Sequence, residues 1–128
     1  MIDDMGIFRT SIHVSSIEQP KARQELTDVM VDTGAAYNWI PRTVLEALGV
    51  VAVRVDRFAT ADKSVIEREV GFAMVYAAGR SAPAAVVFAE AGDMVLLGAH
   101  GLAGMNLRVD LLRKELVPGG PVPVAEAA

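Results

Sequence analysis

The sequence predicts a small all-β domain with one or two short helices. Apolar and polar residues alternate in the first segment, later apolar segments are separated by turn residues, and helix signals are confined to two short stretches. The length of 128 residues fits one domain with a buried core.

The first elements follow from local patterns. Residues 8–15 alternate apolar and polar side chains, which indicates a strand with one solvated face. A second strand is predicted over 26–31. A short helix is predicted over 42–48 because Pro41 stands at its start and Gly49 just past its end.

The middle of the chain predicts a long β-hairpin. Its strands are expected over 50–58 and 65–77, with a polar turn over 59–64. A loop over 79–83 and a valine-rich strand over 84–88 come next. The charged residues of the hairpin, among them Arg54 and Arg68, are expected at its solvated edges.

The last third predicts four short elements, namely a strand over 94–97, one or two helical turns over 99–105, and a closing pair of strands over 107–110 and 115–117. The folded domain is expected to span 6–117. The tail, 118–128, is rich in Pro and Gly and ends in small residues, so it is predicted to be disordered.

Composition excludes several classes of protein. No cysteine is present, so disulfides, thiolate ligands and Cys nucleophiles are ruled out. A net charge of −4 with scattered arginines argues against nucleic acid as a partner, and no apolar run is long enough to cross a membrane. The acidic N-terminus does not resemble a secretion signal, so a cytoplasmic location is expected. The mean hydropathy of +0.36 is high for a monomer and favours an oligomer.

The most informative motif is Asp32-Thr33-Gly34-Ala35, which directly follows the apolar run Val29-Met30-Val31 and whose first three residues recur nowhere else in the chain. An acid at the end of a buried strand, followed by a small hydroxyl residue and a glycine, is a way to present a reactive carboxylate. The tripeptide alone fits an ordinary Asx-type turn equally well.

A second motif, Leu96-Leu97-Gly98, adds specificity. Together the two motifs make the chain resemble single-domain, retropepsin-like aspartic proteases, and most closely the short prokaryotic members of clan AA. Other segments that carry the resemblance are Ile40-Pro41, Leu45-Glu46-Ala47-Leu48-Gly49, Gly79-Arg80 and Val109-Asp110. The resemblance implies a single-lobe acid-protease barrel.

The resemblance also implies residue roles. Asp32 of each of two subunits would form a dyad that shares a proton and activates water, so the working unit would be a C2 homodimer without metal or cofactor. Thr33 would lock the two active-site loops, Gly34 would allow close approach of substrate, and Ala35 would complete the loop. Leu96, Leu97 and Gly98 would form the supporting psi-loop.

The hairpin tip occupies the position of the protease flap, whose residues here are Ala59, Thr60, Ala61, Asp62 and Lys63. Prokaryotic relatives often carry Gly where Lys63 stands. Retroviral relatives carry an Asp–Arg pair at positions that correspond to Ala36 and Ala99, and here both partners are absent together.

The function that the resemblance implies is endopeptidase cleavage of extended peptides in a peptide or protein substrate. One alternative is a non-catalytic dimeric peptide-binding module that keeps the protease fold, and a weaker one is a monomeric β-barrel binder. Tyr37 and Trp39 are predicted to be wall or core aromatics, with a pocket-lining Tyr37 as the less favoured interpretation. His13 and His100 are predicted to be solvated.

Overall fold

The computed structural model describes residues 7–125. Within them the elements, in chain order, are β1 (Ile7–Ser15), β2 (Gln24–Asp32), β3 (Asn38–Pro41), α1 (Arg42–Ala47), β4 (Arg54–Ala59), β5 (Val65–Ala77), β6 (Arg80–Ala89), β7 (Leu96–Leu97), α2 (Ala99–Gly104), β8 (Leu107–Asp110) and β9 (Glu115–Pro118). The protein is therefore mostly β with two short helices, as predicted.

The main sheet has the strand order β1-β2-β7-β3-β6-β5-β4, and β1 also pairs with β5. β8 and β9 form a separate two-stranded sheet. Two parallel pairings, β2–β7 and β3–β6, lie among antiparallel ones. No helix among residues 7–125 is long and apolar enough to span a membrane.

The central strands carry the core. Val29 and Val31 of β2, Ile40 of β3 and Leu97 of β7 are fully buried, and Phe88 of β6 is nearly so. These side chains pack in one apolar cluster. Burial of this kind stabilises a domain by about 25 cal/mol per Å² of apolar surface, and here it holds the C-terminal ends of β2 and β7 in place.

The described strands differ from the predicted ones in several places, since β4 begins at Arg54 and not at residue 50, and β7 covers Leu96–Leu97 and not 94–97. β3 was not predicted, and β6 begins at Arg80 although 79–83 was expected to be a loop. β6 pairs with β3 only from Val86 onward, so Pro83 lies where β5 is its only strand neighbour. A proline is tolerated at such an edge position because no second strand needs its missing N–H.

The C-terminal boundary lies close to the expected one. β9 ends at Pro118, and Gly119 N–H then donates to Asn106 O at 2.8 Å. The Asn106 side chain donates to Gly120 O at 2.9 Å. Residue 6 of the predicted domain and residues 126–128 of the predicted tail lie outside the described residues.

Candidate active site

Asp32 ends β2 and begins a tight turn. Gly34 N–H donates to Asp32 Oδ1 at 2.9 Å, and Ala35 N–H donates to Asp32 O at 3.1 Å. The Asp32 side chain is half-buried, whereas Thr33 is exposed. This is the Asx-type turn that the tripeptide alone allows, so the surroundings of the turn must decide what it does.

The strand β7 lies between the strands that enter and leave this turn. Leu97 pairs in parallel with Val31 of β2, and Leu96 pairs antiparallel with Trp39 of β3. Leu97 is fully buried and Leu96 nearly so. The predicted Leu96-Leu97 strand therefore packs beside the Asp32 turn and fixes both of its ends.

Gly98 is the point of closest backbone approach in this junction. A Cβ at Gly98 would stand 2.3 Å from Tyr37 O and 2.7 Å from Ala35 O. The Gly98 N–H donates to the side chain of Asn38 at 2.9 Å. A glycine is required because any other side chain would collide with backbone that neighbouring hydrogen bonds hold in place.

Asn38 was missed by the sequence analysis and connects three strands. It is fully buried, accepts from Gly98 N–H through Oδ1, and donates from Nδ2 to Ala85 O at 3.0 Å. A buried amide with both ends bonded rigidifies its surroundings. The available signal was a polar residue between Tyr37 and Trp39, in an otherwise apolar segment.

Backbone bonds lie at the two positions where the sequence comparison with retroviral proteases led us to expect no Asp–Arg pair. Ala99 N–H donates to Ala35 O at 2.7 Å, and His100 N–H donates to Ala36 O at 3.0 Å. The loop after Asp32 and the start of α2 are thus joined without charged side chains. This leaves no unpaired charge at either position.

A cleft of about 930 Å³ opens beside Asp32. Its lining comprises Asp32, Gly34, Ala35, Ala36, Tyr37, Trp39, Asp56, Arg57, Phe58, Ala59, Thr60, Ala61, Ile66, Gly92, Asp93, Met94, Leu96 and His100. Of the predicted site residues, Thr33, Asp62, Lys63, Leu97 and Gly98 are outside this lining. The lining mixes apolar and aromatic side chains with several polar and charged ones, three of them carboxylates.

Most of the far wall of the cleft was not predicted from the sequence. Asp56, Phe58, Asp93 and Met94 line the cleft although none was predicted to do so. Tyr37 and Trp39 both line the cleft, so for Tyr37 the less favoured interpretation is the one that the structure supports, and His100 is exposed at the rim. The wall is assembled from β4 and from the loop before β7, so no local pattern brings these residues together.

Asp32 differs from the other two acids of the cleft. Arg54 Nε donates to both carboxylate oxygens of Asp56, at 3.1 and 3.0 Å. Arg68 binds Asp93 through two nitrogens, since Nε donates to Oδ2 at 2.7 Å and Nη2 donates to Oδ1 at 2.9 Å. Asp32 makes no ion pair with any described residue, so it is the carboxylate of the lining that stays available to a ligand.

Arg68 anchors the hairpin instead of lying at a solvated edge, which corrects the prediction. Its partner Asp93 also accepts from Glu90 N–H at 2.7 Å, and Arg68 lowers the pKa of Asp93. Arg42 of α1 joins the same region through Glu69 and Glu90, at 2.6 and 2.8 Å. The base of the hairpin is therefore tied to the loop that leads into β7.

The hairpin tip is organised by Asp62. Its Oδ1 accepts from the hydroxyls of Thr60 and Ser64 and from Ser64 N–H. Thr60, then Ser64, lowers the pKa of Asp62 from 3.8 to about 2, since these donors stabilise the ionised form. Lys63 has a φ of 72°, the left-handed conformation that glycine adopts most readily.

This network predicts the pH dependence of the tip. Because the pKa of Asp62 is lowered in the folded state, the network is complete above 3.8 and is lost as the pH falls through about 2. The NMR shift of Ser64 N–H is expected to titrate with a midpoint near that lower value. Thr60→Val should raise the midpoint, whereas Thr43→Val on the exposed part of α1 should not. A midpoint near 3.8 in the unaltered protein would contradict the network.

No group of three or more His, Cys, Asp or Glu suited to hold a metal occurs among residues 7–125. No protein-family model matches the chain, and no curated protein matches it significantly.

Proposed function

We propose that the chain is one subunit of a retropepsin-like aspartic endopeptidase that acts on extended peptides as a C2 homodimer. The observation that supports this best is the position of Asp32. Its half-buried carboxylate lines the cleft without an ion-pair partner among the described residues, and the inserted strand β7 fixes the turn that carries it.

One carboxylate is insufficient for the proposed chemistry. A second copy related by a two-fold axis would supply its own Asp32, and two carboxylates at about 3 Å cannot both ionise at ordinary pH. The ionised member would take a proton from water, and the protonated member would polarise the scissile carbonyl. Water would attack that carbonyl without a covalent enzyme intermediate. As the C–N bond of the tetrahedral species breaks, the carboxyl that took the proton from water would pass it to the leaving nitrogen, so that amine and acid are released and the dyad again holds one proton.

The surroundings fit an extended peptide. The hairpin tip borders the cleft through Ala59, Thr60 and Ala61, so its backbone could pair with a peptide strand. Exposed apolar side chains, notably Leu112 at 97% exposure and Met94 at 50%, favour self-association. Thr33 is exposed beside Asp32, as a contact with a second active-site loop requires.

The test is cleavage of an unfolded protein or a peptide library by the purified chain between about pH 4 and pH 8, a window that spans ordinary carboxyl pKa values and neutrality. Asp32→Asn is expected to abolish cleavage while dimer mass and thermal unfolding stay unchanged. Asp28→Asn is the matched control, since Asp28 lies in the same strand but is exposed, and its side chain makes a single ion pair with the described residues, at 3.9 Å to Arg9. That control should retain full activity.

Two results would overturn the proposal. Asp32→Asn with undiminished cleavage would show that another group, or a contaminant, performs the reaction. A dimer that binds extended peptides but cleaves none of them would favour the peptide-binding module instead.

A further inference from the structure

The hairpin β4–β5 is held to the loop that follows Asp32 by side-chain contacts, in addition to the backbone pairing that holds it in the main sheet. β4 is the end strand of the main sheet, and β5 is its one partner among the described strands. Backbone pairing therefore holds β4 from one side alone. Side chains of β4 also contact residues outside β5, and several of these contacts involve Tyr37.

The polar part of this attachment is a closed group of three side chains. Arg54 Nη2 donates to the Tyr37 hydroxyl at 3.1 Å, and that hydroxyl donates to Asp56 Oδ2 over a longer 3.4 Å. Arg54 Nε holds both oxygens of Asp56. Each member thus contacts the other two, which raises the pKa of Arg54, with Asp56 as the larger cause and Tyr37 the second.

The apolar part lies next to it on the same strand. Phe58 is two residues beyond Asp56, so both side chains project from one face of β4. The Phe58 ring packs edge-on against Tyr37 at 5.8 Å and against Trp39 at 5.0 Å between centroids. Such ring pairs add about 0.5–1.5 kcal/mol beyond the area that they bury.

Tyr37 itself is held by the active-site junction. Its carbonyl lies against Gly98, and the preceding carbonyls of Ala35 and Ala36 accept hydrogen bonds from the start of α2. The ring also lies 5.6 Å from His100. The hydroxyl that meets Arg54 and Asp56 is therefore carried by the same rigid backbone that follows Asp32.

We propose that Tyr37, Arg54 and Asp56 form a latch that sets the distance between the hairpin β4–β5 and Asp32. Tyr37 is then a positioning residue for peptide binding. This inference rests on the proposed function for its kinetic consequence. Asp32 makes no hydrogen bond or ion pair with the described members of the latch, so we expect the chemical step not to depend on the Tyr37 hydroxyl. Releasing the latch weakens capture of the peptide by the hairpin.

The experiment compares Tyr37→Phe with the unaltered protein by hydrogen exchange and by peptide kinetics. Tyr37→Phe keeps the ring contacts and removes only the hydroxyl. Amide exchange in residues 54–58 is expected to accelerate about tenfold, and KM to rise about three- to thirtyfold, while kcat changes less than about twofold. Changes of this size correspond to the free energy that a hydrogen bond to a charged group commonly contributes.

Tyr76→Phe is the matched control because it makes the same chemical change at a distant site. The Tyr76 hydroxyl bonds Ser15 at 2.9 Å in a buried position outside the cleft. Tyr76→Phe should lower the free energy of unfolding and leave both KM and the relative amide exchange of residues 54–58 unchanged. Asp56→Asn combined with Tyr37→Phe should add little to either single change, since both open the same latch.

Unchanged exchange in residues 54–58 of Tyr37→Phe would overturn the latch whatever the enzyme does. A fall in kcat with constant KM would also overturn it, because Tyr37 would then act on the chemical step. If the unaltered protein cleaves no peptide, the proposed function fails, and the exchange comparison still decides whether the latch exists.

Discussion

A tethered dimer in which one copy alone carries Asp32→Asn is expected to lose at least about a thousandfold in kcat, within the range that general acid–base groups contribute. The reason is that the proposed mechanism gives the two carboxylates opposite tasks in the same step. One would accept the proton of water while the other, protonated, would polarise the carbonyl oxygen. An amide in either position can neither accept that proton nor share one with the opposite carboxylate.

The substitution in one copy alone distinguishes one active site that both copies share from two active sites that work independently. A flexible linker between the two copies fixes the composition of each molecule at one substituted and one intact copy. Exchange of free subunits, which would produce dimers with two intact copies, is thereby prevented. Asp28→Asn in one copy should retain the activity of the tethered pair without substitutions. Half-activity in the Asp32→Asn pair would mean that each copy works alone, which contradicts a dyad.

The parts of the fold that sequence predicted are those with local signals. Alternation over 8–15 predicted β1, and two apolar arms around a polar tip predicted the hairpin β4–β5. Pro41 and Gly49 bounded α1 closely. Each of these patterns lies within a short window of sequence, where strand period, turn residues and helix ends act directly.

Other parts depend on partners that are distant in the chain. β3 is only four residues long and exists because β6 and β7 flank it. Asn38 is buried because Gly98 and Ala85 supply its hydrogen bonds, and neither residue is near it in sequence. No propensity scale contains such information, since the environment is created by the fold.

The residues of the candidate site also fall into those that local motifs predicted and those that required the structure. Asp32 and Leu96 were predicted from their motifs, and both line one cleft. The pairs that distinguish Asp32 from Asp56 and Asp93 required the structure, because Arg54 and Arg68 look alike in sequence as hairpin charges. Only their distances to the two acids reveal that both carboxylates are occupied.

Gly98→Ala is expected to lower the free energy of unfolding by at least about 4 kcal/mol, a size reserved for backbone collisions and similar defects. A Cβ at this position would meet Tyr37 O at 2.3 Å, Ala35 O at 2.7 Å and the Tyr37 carbonyl carbon at 2.9 Å. No rotation of a side chain relieves a backbone contact. Either β7 or the active-site loop must move, and movement of β7 breaks the Gly98–Asn38 bond.

Urea unfolding of Gly98→Ala and Gly104→Ala measures this effect against a matched change. A Cβ at Gly104, at the end of α2, would stand 3.2 Å from the Ala82 methyl group, which requires only a small shift. Alanine also favours a helix over glycine by about 1 kcal/mol, so this control should change stability little. If Gly98→Ala were equally mild, the junction would be able to open without unfolding. The turn that carries Asp32 would then lack the rigid support that the proposed sharing of a proton between two subunits demands.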